Sequence, residues 1–173
     1  MAAYAVALRF EDDEERAGRY RGRMSSLAKS TTGSAYHNLG TCDDREFKQN
    51  SMSYFRVLRL MKFGGMDSAE YEEELGRVKG RLDRHLADRG PWQRAMFARY
   101  YDDFGLAKPP ILQLPDRKSS ASLGNAVVSR RLAAEEYNKN RHYELTHEVF
   151  VAFDYGFSPE QHTFSDDDLS YLS

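Results

Sequence analysis

Tyr71, Leu75, Val78, Leu82 and Leu86 follow one another at steps of four, three, four and four. That spacing puts all five on one side of an α-helix, in a stripe about 22 Å long at 1.5 Å per residue. Glu73, Arg77, Arg81 and Arg84 fall on the other side. Asp67 predicts the start of this helix, and Glu70, three residues on, can reach back toward it in a variant of the capping box. Arg89-Gly90-Pro91 ends it and opens the next, since proline is tolerated in a first turn. So short a link predicts two antiparallel helices. The second carries Trp92, Met96, Phe97, Tyr100, Tyr101 and Phe104, an apolar face wide enough to pack on more than one side.

The same pattern extends over most of the chain. Residues 4–10 set Tyr4, Val6, Leu8 and Phe10 against Ala5, Ala7 and Arg9, a period of two that predicts a short strand. Seven residues also suffice for a helix start or a docking arm. Acidic Glu11 to Glu15 precede Arg16, Arg19, Arg21, Arg23 and Lys29, an order that complements a helix dipole. Tyr20, Met24 and Leu27 then form the inner stripe. Ser30 to Thr41 is a loop by composition. Asp43 or Asp44 caps a helix to about Lys62 that holds Phe47, Tyr54, Phe55, Leu58 and Met61, and Gly64-Gly65 closes it.

Residues 107–118 contain Pro109, Pro110 and Pro115 and form an extended connection. Ser119 or Ser120 caps a further helix through Leu123, Val127, Leu132 and Tyr137, which ends at Asn138 to Asn140. The last full helix holds Tyr143, Leu145, Val149, Phe150 and Phe153 and closes at Gly156. Ser165 and Asp168 mark one more start, ahead of Leu169, Tyr171 and Leu172. A start with a single turn behind it fits a chain cut short, a tail docked on this protein or a partner, or a short frayed turn.

Apolar runs stop three times at an aromatic–glycine pair: Phe63-Gly64, Phe104-Gly105 and Tyr155-Gly156. Asp103-Phe104-Gly105-Leu106 and Asp154-Tyr155-Gly156-Phe157 are near-copies, which suggests a period of about fifty residues, one helical hairpin. Either an evolved repeat or chance spacing in a bundle produces this. In both cases a lone hairpin cannot bury its stripe, so hairpins must stack. The expected fold is mainly α, a series of antiparallel hairpins with a short N-terminal strand or arm. Residues 1–42 form the arm and first helix, 43–157 the hairpin domain and 158–173 the tail.

Composition narrows the function classes. The 173 residues are 40% apolar and 30% charged, the profile of a folded domain, and a disordered chain is excluded. A net charge of −2 offers no general attraction to nucleic acid or to anionic membranes. No apolar run approaches the ~20 residues a bilayer requires. Cys42 is the only cysteine, which excludes an internal disulfide and a cysteine-based zinc site within one chain, and a cytoplasmic location is expected.

Candidate chemistry gathers at Tyr143, Glu144, His147 and Asp154. Glu144 and His147, three apart, project from adjacent turns of one helix. His147 and Asp154, seven apart, are nearly in line. Glu-x-x-His is also the spacing of carboxylate-bridged di-iron bundles, so His147 and Glu144 are the candidate ligands for a divalent metal. A second Glu-x-x-His is missing. As an acid–base site, His147 would be oriented by Asp154 or Glu144, with Tyr143 or Tyr155 as a second proton donor. No nucleophile elbow or P-loop spacing is present, and the aromatics follow core spacing rather than a nucleic-acid stacking platform. The leading expectation is a non-enzymatic helical interaction or scaffold module, binding a protein partner or belonging to a larger helical-repeat chain. Its expected surfaces are the Trp92–Phe104 helix and Leu169–Leu172. The alternative is an α-helical hydrolase or lyase that uses the His147 cluster.

Overall fold

The computed structural model describes residues 1–32, 39–113, 126–157 and 164–173. Among the described residues there are eight α-helices and no strand, so the fold is mainly α. The helices are α1 (Ala2–Arg9), α2 (Glu14–Thr32), α3 (Asp44–Phe63), α4 (Ala69–His85), α5 (Pro91–Asp103), α6 (Val127–Arg130), α7 (Lys139–Ala152) and α8 (Asp166–Leu172). Two compact units divide the chain. Met1–His85 with Asp103–Leu106 forms the first, and Leu86–Asp102 with Ala107–Ser173 forms the second. The chain passes from one unit to the other between α4 and α5, at the last residue of α5 and after Leu106, and each unit is taken by itself below.

In the first unit, the segment expected as a strand is helix α1. Ala2, Ala3, Ala5 and Ala7 are the strongest helix formers, and only Ala5 is buried, so the alternation of larger side chains sets no sheet face. Helix α2 follows its charge order, with Glu14 and Glu15 in the first turn and Lys29 in the last. Its inner side is smaller than expected. Ala17, Met24 and Ala28 are buried, whereas Leu27 is exposed. The basic residues lie on a solvated face, Arg16 forking onto Glu11 at 3.0 and 2.9 Å.

Helix α3 starts where the sequence places it, the Asp43 carboxylate accepting from the Glu46 amide at 2.8 Å. Phe47, Tyr54, Phe55, Leu58 and Met61 are buried. The chain leaves it through Gly65 at φ 69°, a conformation that costs glycine nothing. In α4, Leu75, Val78 and Leu82 are buried, and Asp67 accepts from the Ala69 amide at 3.1 Å. Arg81 departs from the expected solvent face. Its guanidinium donates to Asp44 at 2.9 and 2.7 Å and to the Cys42 carbonyl at 2.7 Å. It also lies 4.2 Å from the Phe47 ring centre, which ties the chain before α3 to α4.

In the second unit, Trp92, Met96, Phe97, Tyr100 and Tyr101 of α5 are buried. The excess aromatic face expected as a contact surface is interior, a correction that follows from its width. The helix expected from Ser119 or Ser120 through Tyr137 begins outside the described residues. Its described part does not run on. Helix α6 lasts four residues and stops at Arg131, which is left-handed at φ 49°. Asn138 then caps α7, its side chain accepting from the Asn140 and Arg141 amides at 3.1 Å each.

A small core joins α6, α7 and α8 around Ala126, Val128, Ala152 and Phe164, with Leu145, Val149, Tyr171 and Leu172 against it. Ser165 and Asp168 form the expected capping box of α8. The tail docks on its own chain. Leu169 stays partly exposed, but Tyr171 donates to the Leu132 carbonyl at 2.9 Å and Asp168 is fully buried. The two Asp–aromatic–Gly near-copies differ in backbone. Asp103 is helical, whereas Asp154 and Tyr155 are left-handed at φ 52° and 53°, and each segment then meets a positive-φ glycine, Gly105 or Gly156.

Candidate functional site

All four sequence-predicted residues lie in the second unit, on α7 or just after it. Helix α7 ends at Ala152, so the seven-residue step from His147 to Asp154 does not stay on one helical line. The left-handed backbone at Asp154 turns its carboxylate to Arg99 of α5, at 2.7 Å. The same guanidinium donates to the Val151 carbonyl at 3.2 Å. Arg99 therefore ties up the C-terminal end of α7 and the buried Asp154 together, the placement a cation prefers.

His147 sits among rings. Its imidazole centre is 4.1 Å from Tyr143, 4.5 Å from Trp92 and 6.4 Å from Phe150. Nδ1 lies 2.9 Å from the Tyr143 carbonyl. A carbonyl only accepts, so Nδ1 carries the hydrogen. Glu144 points elsewhere, its carboxylate 3.7 Å from Arg130. The structure thus brings Tyr143 and His147 together and sends Glu144 and Asp154 to arginines. Among the described residues no three His, Cys, Asp or Glu side chains gather to hold a metal ion. The Glu144 carboxylate lies toward Arg130 and Nδ1 of His147 toward a carbonyl, so these contacts do not draw the two side chains together.

Outward from His147, Tyr143 is 57% exposed and Phe150 48% exposed. Seven residues apart, they fall about 20° apart around the helix, and His147 stands between them. The Tyr155 ring extends the row, 5.7 Å from Phe150. The result is an aromatic ridge on the solvent side of α7.

Glu148 is the residue that sequence reasoning passed over. It is buried, and its two oxygens accept from the Val127 and Val128 amides at 2.8 and 3.0 Å. Ala126 at the N-cap of α6 has no side chain able to do this, so a glutamate 21 residues away supplies the cap. Burial pushes its carboxyl above the usual value, against the two amide hydrogen bonds. A buried acid between apolar Leu145 and Val149 was the only available signal.

Beside Glu148 opens a cleft of about 500 Å³, lined by Trp92, Arg94, Arg130, Arg141, Asn140 and Glu144 among others. His147 is not part of its lining. Among the described residues, no helix is long and apolar enough to cross a membrane. Comparisons with protein-family models, with curated proteins and with solved structures find no match to this chain.

Proposed function

We propose that the chain is a non-enzymatic helical interaction module, and that the aromatic ridge of α7 is its contact surface. The occupant is an amphipathic helix of a protein partner. The observation that carries this reading is the exposure of Tyr143 and Phe150 in line on one helix, spanning about 10 Å, two helical turns. Aromatic side chains left in solvent in a row are costly unless something covers them, and they are the commonest anchors of protein contacts. Lys139, exposed in the first turn of α7, lies about 40° from Tyr143 on the same side. It selects a partner helix with an acidic residue at that end of its apolar face. The acid–base alternative looks to a carboxylate at His147, whereas Asp154 pairs with Arg99 at 2.7 Å and Glu144 lies toward Arg130.

The test starts from a protein retained by the intact chain, identified and then rebound in purified form by titration. Tyr143→Ser with Phe150→Ser should weaken that binding at least tenfold while leaving thermal unfolding unchanged. Equal binding by the double variant overturns the assignment of this surface.

A further inference from the structure

The cleft beside Glu148 combines features that the interaction surface does not use. Three of the lining residues are arginines from three separate elements: Arg94 from the first turns of α5, Arg130 from the end of α6 and Arg141 from the first turn of α7. Helices α5 and α7 carry no acid in their first turns. Cations there stand at the positive end of each helix dipole, the arrangement that is ordinarily disfavoured. Two carboxylates share the cleft. Glu148 is engaged by the Val127 and Val128 amides, and Glu144 stands 3.7 Å from Arg130, beyond hydrogen-bond distance. Positive charge is thus in excess, and two of the three arginines, Arg94 and Arg141, stand against a helix dipole.

We infer that this cleft binds the phosphate group of a small phosphorylated molecule, with Arg94, Arg130 and Arg141 as the recognising side chains. One guanidinium fork satisfies the two oxygens of a carboxylate, whereas several from different directions suit a group with more acceptor oxygens. Asn140, which also lines the cleft, carries an amide able to act as a neutral donor. The cavity falls within the range of small-molecule sites, about 300–1,000 Å³, which leaves room for an organic part beyond the phosphate.

The only tryptophan of the chain, Trp92, is in the lining, so binding can be read directly from its fluorescence. The intact protein is titrated with phenyl phosphate, with inorganic phosphate and with phenol. A saturable change with phenyl phosphate or inorganic phosphate is expected, none with phenol, and a weaker affinity as sodium chloride is raised. The tighter of the two phosphates tells whether the organic part is recognised. Arg94→Gln with Arg141→Gln should weaken binding at least tenfold, and Arg130→Gln alone should weaken it less. Arg84→Gln, on exposed α4 surface, should leave it unchanged. Absence of a saturable change with both phosphates, or equal titrations for the double variant and the parent, overturns the inference.

Discussion

Arg131 and Asp168 are joined across 37 residues by an ion pair whose carboxylate is fully buried. Arg131 holds a left-handed backbone that a side chain rarely takes. Its guanidinium also donates to the Val128 carbonyl at 3.0 Å and covers the Tyr171 ring. One residue therefore ends α6 and fastens α8. Replacing it by alanine leaves Asp168 buried with only part of its hydrogen bonding, including the Ser165 amide at 3.0 Å. Arg131→Ala should lower stability by roughly 3 kcal/mol, the low end for breaking a buried pair, because the arginine itself is partly open to water. Denaturant unfolding measures it. A loss below about 1 kcal/mol means that the pair behaves as a surface contact.

Trp92 is only 9% exposed and stacks on His147. Trp92→Ala should cost about 3–5 kcal/mol, the range for emptying a large core site. A negligible change in unfolding free energy would place this side chain outside the core.

Glu148 and Asp44 should respond to pH with opposite signs. Burial raises the Glu148 carboxyl above its unfolded value of 4.5. The folded state therefore holds that proton more tightly, and the stability this brings is complete below the unfolded value and lost as pH rises through the folded one. Glu148→Gln has no such component. The stability of the parent relative to Glu148→Gln should fall as pH is raised from about 4.5 toward neutrality. Urea unfolding across that interval checks it, and a difference that grows with pH contradicts the assignment.

At Asp44 the hydrogen bond from Arg81 holds the carboxyl below its unfolded value of 3.8. Its stabilisation is present above that value and lost as pH falls through the folded one. Asp44→Asn should therefore flatten the acid limb of stability. Asp44 is exposed, so the effect should shrink as salt is added. An acid limb unchanged by the substitution removes Asp44 from it.

What the sequence disclosed was set by how local each cause is. Asp43, Leu75 to Leu86 and the Ser165–Asp168 box act within a few residues, and each sits where its spacing predicts. The segment from Leu123 to Tyr137 looks helical by period, yet its described part breaks at Arg131. There the deciding contacts come from Glu148 and Asp168, far along the chain. Alternation in residues 4–10 misled because the small alanines between the larger side chains favour helix as strongly as the pattern suggests strand. At the candidate site, Tyr143 and His147 meet as neighbours on one helix do. Asp154 escaped because its position was extrapolated along a helix that stops two residues earlier.

The most direct test of the interaction reading is side-chain footprinting of the whole chain, alone and with its purified partner. Tyr143 and Phe150 should be readily labelled in the free protein and lose most of that reactivity in the complex, while Phe10, exposed on α1 in the other unit, keeps its own. Equal labelling of Tyr143 and Phe150 with and without a bound partner would contradict the account.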